Sequence, residues 1–469
     1  MKKTILIAVL AIAAFAGTVQ AQSRIHITGA TAFRSASVNS INQLFIDSGS
    51  PYSRTFANTD IGGTSKSFTG SSYHAWRGTI TGLGSVIVKC SWNGSVEGIR
   101  AVAVANSNNN AQYIGDGDLP AVPVTGSTQE SKTYALLSSN FTQEVAQLAF
   151  SDVSVSSTPV SASSLTGGSV GVVVFAFCAN KTWRDDALAD NLGIQQFRAL
   201  AAGGRAKASL FTGIQPVAGD ATDKNGKFVY LTGRNDGSGT RTSYLSETGV
   251  GASKAINQYV NHDRGTATID KILLTAKGGG FNFQNVATPQ YASTVWGLDK
   301  DGNGGYDSGG LIAADFAKTS ASTAVWSFLD ADESESFDAS EDSQTIAPDK
   351  LYLLSYLSVA DAKTARGTTT PAAKILGYNG VRLDDLETSN AGLASTGLSP
   401  ADRAKVTNGV YTPWNDQQLY HVTGDTTSAT FFTKLKAALN SSTVIGVTGI
   451  PTGEMKVSRS TDGGTILPN

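Results

Sequence analysis

The chain has 469 residues, a length that suggests two or three domains at about 150 residues each. Its 40% hydrophobic and 16% charged residues are enough to build a sizeable core and exclude global disorder. With 36 basic against 38 acidic residues, the formal charge of −2 lacks the basic excess of a nucleic-acid binder, and fifty glycines point to many turns.

The first segment reads as an export signal. Lys2 and Lys3 precede an apolar run from Ile5 to Gly17, and Val19-Gln20-Ala21 puts small residues where a signal peptidase reads, so cleavage is expected after Ala21. The apolar run is shorter than the ~20 residues that span a bilayer. No Cys stands at the cleavage point for lipid attachment. Without Lys2 and Lys3 the mature chain keeps 34 basic against 38 acidic residues, a formal −4. Cys90 and Cys178 would meet an oxidising compartment, where a disulfide fits. Both also end apolar strand-like runs, where a free thiol packs as a small hydrophobe. His26, His74, His262 and His421 are scattered without metal-ligand spacing, so no structural metal is expected.

Along the mature chain the spacing predicts a strand over Arg24 to Ala30 and a helix over Phe33 to Phe45. A polar stretch, Ser48 to Ser72, reads as an inserted extension. Then follow a strand over Ser85 to Trp92, a helix over Val96 to Asn106 and a short strand over Leu148 to Val153. Val170 to Asn180 is an unbroken apolar run, the pattern of a strand buried on both faces in a parallel sheet. A helix over Leu192 to Ala202, a strand over Phe228 to Gly233 and a helix over Thr240 to Glu247 come next. A strand over Leu351 to Leu357 and a helix over Ser428 to Asn440 close the series. Strands alternating with helices imply an α/β class with mainly parallel sheets.

The segment richest in chemistry is Gly233-Arg234-Asn235-Asp236-Gly237-Ser238-Gly239-Thr240. A strand ends at Arg234, small residues turn, and a helix begins near Ser238. The free N–H groups of Gly239 and Thr240, together with the helix dipole, favour an anion there. Hydroxyls of Ser238 and Thr240 and the Arg234 fork add donors around the same volume. An ordinary turn with a Ser cap fits the same residues.

Arg-x-Asp-Gly-Ser-Gly-Thr before an aromatic-containing helix resembles the periplasmic phosphate-binding proteins of ABC transporters. In the right order, Ile27 to Phe33 is similar to that family's first strand and turn, and Trp92 to Gly98 to its second helix start. Phe150-Ser151-Asp152 is similar to its short strand ending in Ser-Asp. Gly304 to Gly310 looks like a later glycine-rich helix start. The resemblance implies a two-domain periplasmic-binding-protein fold (type II), with residues 22–178 and 357–469 in one domain and 179–356 in the other. It also implies a phosphate ligand in the cleft, an inner-membrane ABC permease as partner, a periplasmic monomer, and no cofactor or enzyme activity. Carried over by position, the ligand would be held by Thr31, Ala32, Ser95, Asp152, Arg234, Ser238, Gly239 and Thr240. Asp152 beside an anion makes sense when the ligand keeps a proton, because a carboxylate accepts from hydrogen phosphate and penalises sulfate. The chain departs from the family by the insertion of Ala32 before Phe33 and by Glu97 two residues after Ser95.

Other motifs weigh less. Asp299 to Asp307 follows the first positions of a calcium loop, yet Gly310 stands where the bidentate carboxylate belongs, and Asp330 to Glu341 lacks its turn glycine. Asp307-Ser308-Gly309-Gly310 lacks a supporting His, and Gly167-Gly168-Ser169-Val170-Gly171 precedes a strand instead of joining strand to helix. No nucleotide-hydrolysis motif is present. Two other functions stay open: a surface protein that keeps the fold without the ligand, and an exported enzyme acting on a phosphoester.

Overall fold

The computed structural model describes residues 22–57, 68–103, 111–122, 129–134, 141–161, 164–220, 222–233, 237–256, 258–263, 269–275, 295–298, 307–312, 328–330, 352–366, 373–388, 397–440 and 449–469. The proposed signal segment, Arg234 and most of the two acidic loops lie outside them.

In chain order the elements open with β1 (Ser23–Gly29), α1 (Arg34–Ile46), β2 (Tyr52–Ala57), β3 (Tyr73–Ile80), β4 (Gly84–Ser91) and α2 (Ser95–Ala103). Strands β5 (Ala111–Ile114), β6 (Gln129–Tyr134), β7 (Phe141–Glu144) and β8 (Leu148–Ser151) lead to the long β9 (Leu165–Ala179). Next come α3 (Lys181–Asp185), β10 (Asn191–Leu192), α4 (Ile194–Gly203), β11 (Arg205–Lys207), α5 (Ser209–Thr212), β12 (Phe228–Leu231) and α6 (Gly239–Glu247). Two small sheets use β13 (Gln258–Asp263), β14 (Ile269–Thr275), β15 (Val295–Leu298), β16 (Asp307–Ile312) and β17 (Phe328–Asp330). The chain closes with β18 (Tyr352–Ser358), α7 (Val359–Arg366), β19 (Lys374–Tyr378), α8 (Asp384–Thr388), α9 (Pro400–Thr407), β20 (Trp414–Val422), α10 (Thr426–Leu439), β21 (Val457–Arg459) and β22 (Ile466–Pro468).

The protein is α/β, built on one thirteen-stranded mixed sheet in the order β11-β12-β18-β9-β20-β8-β1-β4-β3-β2-β6, with β19 beside β9 and β10 beside β19. The expectation of mainly parallel strands is corrected. Parallel pairs are β1–β4, β1–β8, β2–β6, β12–β18 and β10–β19, and the other ladders of this sheet run antiparallel. Strand β9 itself is antiparallel to β20, β18 and β19. Its apolar run reflects burial on both faces, which layers above and below the sheet impose whatever the strand direction.

Strand β9 spans two regions. Through Val174 it pairs with β20, and from Phe175 with β18 and then β19. The return passage lies alongside: Phe175 N–H donates to Pro413 O at 2.9 Å, and Tyr411 Oη donates to Phe175 O at 2.8 Å. One continuous core runs through both regions, from Ile25, Phe33 and Trp76 to Phe177, Tyr244 and Tyr356. Each such side chain taken out of water contributes about 1.5–3 kcal/mol.

The segment read as a polar extension holds β2, which pairs with β3 and buries Tyr52, Ser53, Thr55 and Ala57. Residues Asp307 to Ile312, expected to open a helix, form β16 against β15. Hydrogen bonding to a partner strand outweighs the helix-start pattern there, since glycines suit a close ladder as well as a turn. Cys90 and Cys178 are buried free thiols, and burial pushes the Cys90 thiol up. Among the described residues no helix is long and apolar enough to cross a membrane.

Candidate functional site

Strand β8 ends at Ser151, and Asp152 turns away from the sheet with a carboxylate 1% exposed. Two helix starts meet it. Helix α2 begins at Ser95 after Gly94, whose φ of +121° is a conformation that side chains rarely tolerate. Helix α6 begins at Gly239 after Ser238, the N-cap, whose Oγ accepts from Arg241 N–H at 3.5 Å.

Hydroxyls from both helices bond the carboxylate. Ser95 Oγ donates to Asp152 Oδ1, and Thr240 Oγ1 donates to Asp152 Oδ2 at 3.2 Å. Asp152 N–H returns a bond to Ser95 Oγ at 3.2 Å. Its carbonyl accepts from Ser243 Oγ at 3.3 Å and from Asn415 Nδ2 at 3.2 Å, and Asn415 Nδ2 also donates to Ser243 Oγ at 2.8 Å.

Glycine lets the backbones come this close. A Cβ on Gly239 would stand 1.7 Å from Asp152 Oδ1 and 2.3 Å from Ser95 Oγ. A Cβ on Gly94 would stand 2.8 Å from Gly237 O, the carbonyl that accepts Val96 N–H at 3.1 Å. Helix α2 in turn lies on β1, where a Cβ on Gly98 would fall 2.5 Å from Gly29 Cα. Helix α6 is held from beneath by Tyr244, whose ring centre lies 4.4 Å from that of Phe177 and 5.2 Å from that of Tyr356.

The structure thus brings together Ser95, Asp152, Ser238, Gly239 and Thr240. Thr31 and Ala32 stand on the turn from β1 to α1, which lies beside β8 through the bond from Ala30 N–H to Phe150 O at 2.8 Å. Ala32 is 6% exposed and packs into the core, which absorbs the extra residue before Phe33. Glu97 turns sideways into an ion pair with Arg100. Ser243 and Asn415 escaped the sequence reading. The first lies on the Gly239–Thr240 face of α6 by its three- and four-residue spacing, a signal that was available.

Support reaches the site from outside. Trp92, two residues before Gly94, donates its Nε1–H to His74 Nδ1 at 3.0 Å, and His74 Nε2 lies 2.5 Å from Phe68 O. The imidazole is therefore neutral with its proton on Nε2. Complete burial, aided by Arg34 and Arg54, pushes its pKa down to about 3 against the Phe68 carbonyl. Thr28 Oγ1 donates to Asn93 Oδ1 at 2.8 Å and fixes the residue between Trp92 and Gly94.

Among the described residues no group of three or more His, Cys, Asp or Glu side chains could hold a metal. Chemically the cluster can accept a proton-bearing group at Asp152 and offer hydroxyls and helix N-termini to negative oxygens.

No protein-family model and no curated protein matches the chain. Among solved structures, a protein from Clostridium perfringens assigned as a phosphate ABC transporter substrate-binding protein, with phosphate bound, is similar at TM-score 0.40 and 8% identity, over 91% of this chain and 100% of that one. An ABC-type phosphate transport receptor from Vibrio cholerae is similar at TM-score 0.33 and 11% identity, over 88% and 93%. A possible phosphate binding protein from Planctomyces limnophilus is similar at 0.35 and 8%, over 92% and 95%. All three TM-scores lie below 0.5.

Proposed function

We propose that this chain is an exported solute-binding protein that captures phosphate, or a related tetrahedral oxyanion, and passes it to an ABC permease in the inner membrane. The observation that carries the reading is the buried Asp152 carboxylate held between the Ser95 and Thr240 hydroxyls, each at a helix N-terminus arriving from a different part of the sheet. As hydrogen phosphate enters, its P–OH donates to Asp152, while Ser95, Thr240 and the Gly239 backbone turn to its charged oxygens. Arg234, in the same turn of sequence as Ser238, would supply the bidentate fork, and Thr31 with Ala32 the rim. In this reading residues 22–178 and 357–469 form one lobe and 179–356 the other. An anion touching both lobes favours their closed state, because its contacts are complete only when they meet. The mature protein would be a periplasmic monomer released by cleavage after Ala21, and the reading contains no catalytic step.

The test is phosphate binding by wild-type protein stripped of ligand by unfolding and refolding, beside Ser95→Ala and Thr240→Val. A hydrogen bond to a charged group is worth about 1.5–3 kcal/mol, so each variant should weaken binding about 10- to 100-fold. Unchanged affinity in both would contradict the assignment.

One observation favours a second reading, a surface protein that keeps the fold without the ligand. In the described arrangement Asp152 already takes both hydroxyls, and Gly237 O takes the Val96 N–H. Under that reading the wild-type chain binds no oxyanion, and the same titration decides.

A further inference from the structure

The last residues of the chain form a hairpin, β21 with β22, that touches the anion site from two sides. At its turn, Asp462 Oδ2 accepts from Ser154 N–H at 2.7 Å and from Ser154 Oγ at 2.8 Å. Ser154 follows Asp152 by two residues. At the end of β21, where the strand enters that turn, Arg459 Nη1 lies 2.8 Å from Glu247 Oε2, and both side chains are nearly buried, 4% and 10% exposed. Glu247 is the last residue of α6, the helix whose first residues bond Asp152.

Arg459 makes two further contacts in the return passage. Its guanidinium lies 4.5 Å over the Trp414 ring, and Nη2 donates to Thr412 O at 2.5 Å. Trp414 precedes Asn415, which bonds the Asp152 carbonyl. Gly463, at φ +67°, passes so close to α6 that a Cβ would stand 2.4 Å from Ser246 O. Burial raises the Glu247 carboxyl while the Arg459 charge opposes it.

We infer that the C-terminal hairpin is a strap, with Arg459 and Asp462 as positioning residues that hold α6 and the Asp152 turn together as one binding surface. The inference rests on the proposed oxyanion site for its effect on binding, but not for its effect on geometry. Arg459 fixes the far end of α6, Asp462 fixes the loop after Asp152, and only a few residues of chain join them. Loss of either anchor leaves the two walls joined only by the Thr240, Ser243 and Asn415 bonds at the site itself, which loosens one against the other. Neither side chain touches the ligand position.

The experiment uses the full mature chain with Thr81→Cys and Ala218→Cys, both exposed positions, carrying spin labels on the two sides of β9. Inter-label distances are measured by pulsed EPR without ligand, and phosphate affinity by equilibrium dialysis, for the parent, Arg459→Ala, Asp462→Ala and the control Arg403→Ala. Arg403 pairs with Glu454 at 2.7 Å, on the same segment but away from the site. The two strap variants should broaden and lengthen the distance distribution and weaken phosphate binding at least tenfold, with the control matching the parent. Arg459→Lys, which keeps charge but loses the fork, should recover part of the loss. Should the alanine variants unfold, Asp462→Asn and Arg459→Lys must show the same distance shift at smaller amplitude. Distance distributions equal to the parent's overturn the strap. A parent that binds no phosphate, with strap variants that still widen the distribution, overturns the phosphate reading and leaves the strap standing.

Discussion

Ser95 and Asp152, 57 residues apart, bond each other twice: the Ser95 hydroxyl donates to the Asp152 carboxylate and accepts from the Asp152 N–H at 3.2 Å. A carboxylate so placed can only accept, and in the proposed function it would select ligands that bring a proton. Asp152→Asn replaces one acceptor by a donor. Phosphate should weaken about 10- to 100-fold, since a mismatched buried polar pair costs about 1–3 kcal/mol, while sulfate, now offered an N–H, should bind measurably better than it does to wild type. Competition dialysis with both anions reads the change.

Gly239 leaves no space for a methyl group between α6 and the Asp152–Ser95 pair. Gly239→Ala should therefore abolish tight anion binding and cost about 1–3 kcal/mol of stability by overpacking. Gly203, where a Cβ would meet nothing within 4 Å, is the matched control. Gly203→Ala should leave binding alone and hold or raise Tm, because it removes unfolded-state freedom without a clash. Thermal melts and phosphate titrations of the pair separate the two effects.

His74 gives the fold an acid limit. Folding lowers its pKa from 6.5 to about 3, first through burial. Above pH 6.5 neither state carries the proton, and the full stability is present. Between 6.5 and 3 the unfolded chain takes up a proton that the folded chain refuses, so stability falls as the pH falls. Below 3 both states are protonated and this loss levels off. The ordinary carboxylates start to titrate near pH 4.5, where Glu144, held down at about 2 by His26 and Lys89 against its own burial, begins to add a second loss. Tm should therefore drop from pH 6.5 to 5 in wild type. In His74→Gln, less stable at pH 7, the slope over that window should be clearly shallower. Equal slopes would contradict the assignment of a neutral, buried imidazole.

Cys90 and Cys178 lie 0% exposed in β4 and β9, and no disulfide joins them. Neither should react with a thiol reagent until the protein unfolds, and reductant should leave Tm unchanged. Rapid modification in native buffer would contradict the packing described.

The sequence carried the elements whose burial comes from apolar side chains. Strands β1, β4, β9 and β18 and helices α1 and α10 fall within a residue or two of expectation, apart from the earlier start of β9, because their patterns follow the face they bury. Helix α6, whose buried residues are mostly polar, was marked instead by its glycine turn and Ser238 cap. Strand β20 was hidden because its inward positions are Asn415, Gln417, Leu419 and His421, so hydropathy does not show the alternation that the burial pattern has. That strand arrives from late in the chain between β9 and β8 and runs antiparallel to both. In the site, Ser95, Asp152, Gly239 and Thr240 were legible because small and hydroxyl residues at helix starts have few other uses. Asn415 was not, since an amide on an unrecognised strand announces nothing until its partners, the Asp152 carbonyl and Ser243 Oγ, are known.

The most direct test is calorimetric titration of the ligand-stripped mature chain at neutral pH, first with phosphate and then with sulfate. Saturable heat with phosphate and none with sulfate is the expected result, since only hydrogen phosphate can donate to Asp152. Equal binding of both anions would contradict the role given to that carboxylate, and binding of neither would contradict the oxyanion site itself.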